Sequence, residues 1–473
     1  MKSPVLKYPF RVMLVLWGVC GFLTAPLWAQ QRPRVLTNDD LRQSPRVWAV
    51  RSEARGNAGG PAAPAEEVQP PPTPLTLPEL VTARLLSFSR SVQTHGIYFE
   101  ALDGTPVLNI NENVLYNPAS VTKVMTSMAA LEALGVDYRY VTRIGYTGAI
   151  DWATGTLMGD LVISGENDPS FATESLFLIG EKLREIGVRH VQGNIRIGSG
   201  VLLNMRSQPA VIGHEILVAL DRSRWTPRTE ALWNAVRSLK AFSQITDYQG
   251  ISIKPGNALA DDYTTPRRPL LEYRSSPLLK ILKTINAYSH NEMTHVVGAR
   301  VGGAAGVRRY LIEKVGIPPQ EVYLQTTSGL GHNAITPRAT VKLMRYAVNW
   351  LGKRKISLGE LLPIAGIDSG TLQRRFTSPD LVGTVIGKTG TLSSTSALAG
   401  IVYTQKRGLL FFAILERGSP HNLRPLQEEI ISMVAADSGG ALPLALGSEM
   451  SPSLCEDAVV AESAAVRTAA LVR

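Results

Sequence analysis

The chain has 473 residues, 44% of them apolar, and 49 Lys and Arg against 39 Asp and Glu give it a formal charge of +10. The apolar share excludes a wholly disordered protein, and the length allows two or three domains. Two cysteines, Cys20 and Cys455, exclude a disulfide framework and a cysteine-based zinc site, and beyond the N-terminus no apolar run reaches the roughly 20 residues of a membrane span.

In chain order, Lys2, Lys7 and Arg11 precede an apolar run from Val12 to Thr24, followed by Ala25-Pro26-Leu27-Trp28-Ala29-Gln30. A basic start, a short apolar stretch and a small residue before a polar one read as an export signal over 1–29. Leu27 stands where a small residue is preferred for cleavage, and an uncleaved signal would anchor the chain peripherally to the membrane. Cys20 follows Trp17-Gly18-Val19, a poor lead-in for a lipoprotein. The body is expected in the periplasm or another extracytoplasmic space. There its positive charge suits anionic polymers or lipid headgroups rather than nucleic acid, and serves solubility equally well. Residues 30–78 contain Gly59-Gly60-Pro61-Ala62-Ala63-Pro64 and Pro70-Pro71-Pro72 and read as a semi-extended linker. Residues 437–473, rich in Ala, Ser and Gly, read as a flexible tail. The folded body is then 79–436, without an internal repeat.

The body opens with helical apolar spacing from Leu80 to Ser91. Gly96 to Ile110 alternates around Asp103-Gly104, a hairpin signal. Pro118 leads into a helix pattern from Ser120 to Leu134, closed by Gly135. Strand-like pieces around Gly159 to Ile163, a helix from Ser175 to Ile186 and a strand from Val191 to Ile197 mark 141–272 as an inserted, smaller α/β domain. Gly383–Lys388, Ser396–Tyr403 and Leu409–Leu415 read as strands, and 422–435 as an amphipathic helix. Strands at both ends of the body predict one antiparallel sheet flanked by helices and built from 79–140 and 273–436, an α+β fold.

Three short motifs occur once each and in order: Ser120-Val121-Thr122-Lys123, Ser289-His290-Asn291 and Lys388-Thr389-Gly390-Thr391. At i and i+3 of a helix, Ser120 and Lys123 share a face. A serine hydroxyl needs a base, and a lysine serves when burial and a neighbouring cation lower its pKa; Lys388 would be that cation. A helix N-terminus at Ser120 favours negative charge developing on an attacked carbonyl. At the end of an edge strand, Lys388 and Thr389 can bind a substrate carboxylate while Gly390 admits an extended peptide. The backbone N–H groups of Ser120 and Thr391 would form an oxyanion hole, Ser289 would relay a proton to the leaving amine, and Asn291 would orient the base or a substrate amide. Singly these motifs are weak; together they form one constellation.

On these residues the chain resembles the D-alanyl-D-alanine carboxypeptidase/endopeptidase family, the class C low-molecular-mass penicillin-binding proteins. The resemblance covers most of 80–436. It includes Asn117 to Lys123, Gly159 to Ser170, Ser276-Pro277-Leu278 with Tyr288 to Asn291, Ser328-Gly329-Leu330, Leu362 to Gly366, and Gly387 to Leu392 with Ser396-Ala397-Leu398. It implies a transpeptidase-like domain of the serine β-lactamase and penicillin-binding-protein type, interrupted by inserted material. It implies cleavage of the terminal D-Ala-D-Ala bond of peptidoglycan stem peptides, or of cross-links, and covalent inhibition by β-lactams. By position it makes Ser120 the nucleophile, Lys123 the base, Ser289 and Asn291 the relay and orienter, and Lys388 the substrate anchor. His290 stands where the family usually has Asp, and Thr326-Thr327 where it has Asp-Gly. The 169 positions from Ser120 to Ser289 are fewer than the family's usual spacing, so one inserted domain is expected and a second reduced or lost.

No His, Asp and Glu cluster has metal-ligand spacing, and no cofactor is expected. Glu166 and Asp168 lie in a Gly/Pro loop and read first as turn formers. Two other readings stand beside the peptidase. A β-lactamase shares the motif trio, but the E-x-x-L-N segment that carries the deacylating glutamate of class A enzymes is absent from the sequence. A non-catalytic envelope-binding module on the same scaffold is favoured only by His290.

Overall fold

The computed structural model describes residues 75–89, 91–443, 454 and 457–462. The expected export signal and nearly all of the expected linker lie outside these residues.

Helix α1 (Leu77–Ser89) starts inside the stretch read as linker. Its start is a local hydrogen-bonding event: Glu79 accepts from the backbone N–H and the hydroxyl of Thr76, both at 2.8 Å. Strands β1 (His95–Ala101) and β2 (Pro106–Ile110) form the expected hairpin. At its tip Gly104 has φ +94° and Asp103 accepts from the N–H of Thr105, which explains the Asp-Gly pair. A 3-10 turn, Ala119–Val121, feeds α2 (Thr122–Leu134). Then follow β3 (Val141–Tyr146), β4 (Ala149–Asp151), β5 (Thr156–Met158), β6 (Leu161–Gly165), α3 (Thr173–Glu185), β7 (His190–Ile197), α4 (Pro209–Leu220), α5 (Pro227–Val236), β8 (Ser252–Ala260) and β9 (Arg268–Arg274). The chain continues through α6 (Leu278–Tyr288), α7 (Asn291–Arg300), α8 (Gly303–Glu313), the short pair β10 (Val322–Tyr323) and β11 (Ala334–Ile335), and α9 (Pro337–Gly352). It closes with β12 (Val385–Leu392), β13 (Thr395–Thr404), β14 (Gly408–Arg417), α10 (Pro420–Asp437) and β15 (Val459–Glu462).

The two ends of the body meet in one antiparallel sheet of order β12-β13-β14-β1-β2. Both faces are covered. On one side α2, α6, α7, α8 and α9 pack around Val124, Met128, Ile281, Leu311 and Met344; on the other, α1 and α10 pack around Leu85, Phe99, Phe412 and Ile430. Burial on both faces is why β13 and β14 read as continuous apolar runs rather than alternating ones. Each fully buried Leu, Ile or Phe of this sandwich contributes about 1.5–3 kcal/mol, so the three layers hold β12, the sheet's edge strand, firmly beside α2.

Residues 141–274 supply β3 to β9 to a second, mixed sheet of order β15-β9-β3-β6-β7-β5-β4, in which β8 pairs with β7. Its own apolar cluster centres on Phe177, Trp225, Trp233 and Tyr248, whose rings lie 5.3–5.5 Å from that of Phe177. The two crossing segments bond to each other, Tyr140 with Ser275, at the point where the chain leaves and re-enters the half that carries the first sheet. The expected flexible tail needs correction: Val459–Glu462 adds a strand to the open edge of β9, from Val459↔Arg274 to Glu462↔Leu271. Ser276 Oγ donating to Leu454 O (2.5 Å) and an ion pair between Lys280 and Asp457 fasten that return. An unpaired strand edge offers backbone donors and acceptors that even a short apolar segment can satisfy.

Candidate active site

The turn carrying Ser120 is built by its neighbours. Asn117 accepts from the N–H of Ala119 (2.8 Å) and donates to Gly331 O (2.9 Å), and the N–H of Val121 bonds Pro118 O. Ala119 is held at φ +45°, a left-handed conformation that costs a non-glycine residue about 1–2 kcal/mol. The turn delivers Ser120, partly exposed, at the start of α2, with Lys123 three residues further on the same face.

Lys123 is 0% exposed. Its Nζ donates to Ser120 Oγ (2.9 Å), Asn291 Oδ1 (2.7 Å) and Ser328 O (2.8 Å). Burial brings its pKa down to about 7, against the opposing charge of Glu292. Sequence reasoning gave this depression partly to Lys388. Burial is the first cause for Lys123, and burial first and Lys123 second hold Lys388 well below an ordinary lysine; repulsion between two cations acts on both.

Ser289 ends α6 in the left-handed region, φ +60°, and turns the chain so that Asn291 can open α7. His290 caps that helix: its Nδ1 accepts from the N–H of Met293 at 3.4 Å, the task an aspartate performs at a helix start. Burial keeps its pKa below the usual histidine value; Glu292 pushes it up and Lys123 pushes it down. A neutral imidazole can accept that N–H, so the substitution of His for Asp leaves the loop capped.

Lys388 Nζ donates to Ser289 Oγ (3.1 Å) and Thr389 O (2.8 Å), and Thr389 Oγ1 donates to Thr371 Oγ1 (2.9 Å). The Lys-Thr-Gly segment was expected to end its strand; instead β12 runs on through Leu392, paired with β13 up to Leu392↔Thr395. The continuation matters for the backbone. Ala365 donates to Val385 O and Gly387 donates to Pro363 O, so odd-numbered residues of β12 turn their polar groups away from β13. By strand alternation the N–H of Thr391 points out of the same open edge. A Cβ at Gly390 would lie 2.4 Å from Pro118 O and 3.1 Å from Ala119 Cβ, so only glycine lets β12 approach the Ser120 turn this closely.

The structure thus brings two hydrogen-bonded groups, Ser120 with Lys123 and Asn291, and Ser289 with Lys388, together between α2, the α6–α7 junction and β12, with Thr389, Gly390 and Thr391 along the wall. A fourth wall is the strap 326–333. Asn333 bonds Thr122 Oγ1 (3.0 Å), Thr126 Oγ1 bonds Thr327 O (2.7 Å), and Gly329, at φ +91°, lies where a Cβ would meet Ala119 O at 1.9 Å. The contribution of Ser328 is its carbonyl, which no side-chain pattern reveals.

A family model described as the D-Ala-D-Ala carboxypeptidase 3 (S13) family matches residues 86–213 and 228–437. The chain is 27% identical over 409 residues to the carboxypeptidase DacB of Mycolicibacterium smegmatis, covering 79% of this chain and 86% of that protein. Among solved structures, a penicillin-G-acylated predatory endopeptidase of Bdellovibrio bacteriovorus in complex with its immunity protein superposes with a TM-score of 0.62, at 20% identity over 77% of this chain and 99% of that one. Penicillin-binding protein 4 of Haemophilus influenzae gives a TM-score of 0.53 at 20% identity, over 71% of this chain and 95% of that one.

Proposed function

The chain belongs to the D-Ala-D-Ala carboxypeptidase 3 (S13) family, a serine-type peptidase family, and from that premise we propose that Ser120 is its nucleophile, Lys123 its base and peptidoglycan stem peptides ending in D-Ala-D-Ala its substrate. The observation that carries the reading is the environment of Lys123. A neutral amine has two N–H groups and one lone pair. Asn291 Oδ1 and Ser328 O can only accept and take the two N–H groups, which leaves the lone pair for the Ser120 hydroxyl at 2.9 Å. With a pKa near 7 the amine is substantially neutral at neutral pH.

Lys123 takes the Ser120 proton as Oγ bonds to the carbonyl carbon of the penultimate D-Ala. The carbonyl oxygen, now negative, accepts from the N–H groups of Ser120 and Thr391. The C–N bond then breaks; the proton that Lys123 took passes through Ser289, which Lys388 holds at 3.1 Å, to the leaving amine, and Lys123 is neutral again. Water, deprotonated by Lys123, cleaves the ester and restores the Ser120 hydroxyl. Lys388, Thr389 and Thr391 bind the terminal carboxylate, and Gly390 admits the peptide backbone. The same acyl-enzyme chemistry would open D-Ala cross-links. β-Lactams would acylate Ser120 as substrate mimics, as penicillin G has acylated the Bdellovibrio neighbour. The substrate class places the enzyme outside the cytoplasmic membrane, with residues 1–29 as the export signal.

Intact mass after brief exposure to penicillin G, beside the Ser120→Ala variant, tests the reading. A persistent penicilloyl adduct that the variant lacks, with D-Ala released from a D-Ala-D-Ala peptide, is the expected result. Rapid destruction of the antibiotic without an adduct would make the protein a β-lactamase. Intact antibiotic and no adduct would leave a binding module.

A further inference from the structure

Lys123 touches two acceptors that come from separate parts of the chain: Asn291 opens α7, and Ser328 sits in the strap 326–333. His295 lies one helical turn after Asn291, at i and i+4, on the same face of α7. Its Nδ1 is 3.1 Å from Thr327 Oγ1 and its Nε2 is 3.0 Å from Ser328 Oγ, so one ring spans two consecutive strap hydroxyls. A neutral ring donates from one nitrogen and accepts at the other, and a hydroxyl can answer either. The approach is close for a second reason: a Cβ at Gly298, three residues beyond His295, would meet the Thr327 side chain at 2.5–2.6 Å. Thr327 is one of the two residues at which this strap departs from the Asp-Gly of the related family, and its hydroxyl is what His295 binds.

We propose that His295 is a positioning residue for acylation: by clamping the strap to α7 it closes a ring from Lys123 through Asn291, His295 and Ser328 back to Lys123, and so holds both carbonyl acceptors where the amine lone pair must face Ser120. The inference rests on the assignment of Lys123 as base. The ring nitrogens of His295 bond the strap hydroxyls, and it acts through the strap. Releasing the strap would let the Ser328 carbonyl drift and water reach Lys123. Burial is the main influence on that amine, so wetting it moves its titration upward. The other charged or titratable groups facing it, Glu292, Lys388 and His290, are unchanged by the substitution.

The test is the second-order rate constant for acylation by penicillin G from pH 5.5 to 9, on the purified full chain and on His295→Ala, His295→Gln and Thr327→Val, with thermal melting of each. In His295→Ala the limiting rate constant should fall about tenfold, a factor worth 1.4 kcal/mol, and the midpoint of the pH profile should move upward. His295→Gln, which keeps a donor and an acceptor at the end of the side chain, should recover most of both. Thr327→Val should shift both in the same sense by less. If His295→Ala keeps its rate and its midpoint, the proposal is overturned. It is equally overturned if the rate falls in step with melting while the midpoint stays and His295→Gln does no better, because that is loss of fold alone. Should His295→Ala fail to fold, an unmoved midpoint in Thr327→Val overturns the proposal. Absence of acylation in the unaltered chain would instead sink the assignment of Ser120 and Lys123.

Discussion

The two walls of the cleft each present a buried lysine, and they use it differently. On the helical wall Lys123 faces two carbonyl oxygens supplied by distant segments and the hydroxyl of Ser120 from its own turn. On the strand wall Lys388 faces a hydroxyl and the carbonyl of its own neighbour Thr389. Burial lowers both pKa values, yet the surroundings assign each a task. On the proposed reading, acceptors that occupy the N–H groups make a base of the first, while the second, beside the hydroxyls of its strand edge, anchors the substrate. Residue type and burial alone would then not separate a catalytic lysine from a binding one; the acceptors would.

The largest break in that contrast is removal of the base. Lys123→Gln should lower the penicillin acylation rate constant by about 10²–10⁴. Lys123→Arg should rescue nothing, since a guanidinium stays protonated at any working pH. Lys388→Gln should weaken substrate binding instead, a rise in KM at little altered kcat. A Lys388→Gln enzyme whose kcat collapses while its KM holds would erase the distinction between the walls.

Next in size is the gap between the walls. Gly390→Ala sets a methyl group 2.4 Å from Pro118 O and 3.1 Å from Ala119 Cβ, and backbone there cannot give cheaply because Ala119 is already held at positive φ. Acylation should fall by about 10²-fold, the order that a 1 Å misplacement costs. A crystal structure of the variant should show β12 displaced from the Ser120 turn.

Much of this was legible in the sequence and some could not be. The hairpin at Asp103-Gly104 and the apolar runs of β13 and β14 announce their elements locally, so the sheet built from both chain ends followed. The i, i+3 spacing of Ser120 and Lys123 announces a shared face. Three features depend on partners distant in the chain. Strand β15 exists because β9 leaves an edge open, and a run of small residues carries no sign of that edge. The carbonyl of Ser328 is backbone, invisible to any pattern of side chains. The source of Lys123's depression is a buried volume, which spacing does not report. His295 was within reach: it lies i+4 from Asn291.

A tenfold effect per pH unit tests the helical wall directly. Below pH 7 Lys123 is an ammonium and has no lone pair for the Ser120 proton, so acylation should rise with pH and level off above about 7. The same depression makes a stability statement. Between the folded pKa of about 7 and the ordinary lysine range, the unfolded chain binds the extra proton, so the contribution of Lys123 to stability rises with pH across that window. A flat acylation profile from pH 5.5 to 9 would remove Lys123 as the base.

The smallest effect, and the sharpest discriminator, is His290→Asp. As a cap the two residues are equivalent: each offers one acceptor to the N–H at the third position of α7, and capping swaps among good acceptors change stability by only a few tenths of a kcal/mol. Electrostatically they differ. His290 feels the charge of Lys123 and is held neutral mainly by burial, whereas an aspartate there would be an anion beside the same ammonium. An added negative charge favours the protonated lysine, so the acylation midpoint should move above 7 by a fraction of a pH unit while the limiting rate at high pH and the melting temperature stay put. His290→Ala separates the two contributions: it loses the cap, at about 1 kcal/mol of stability, but adds no charge, and its midpoint should not rise. A midpoint that moves equally in both variants would show that the cap, through the position of Asn291, sets the titration of Lys123, and that the histidine's neutrality does not matter to the base.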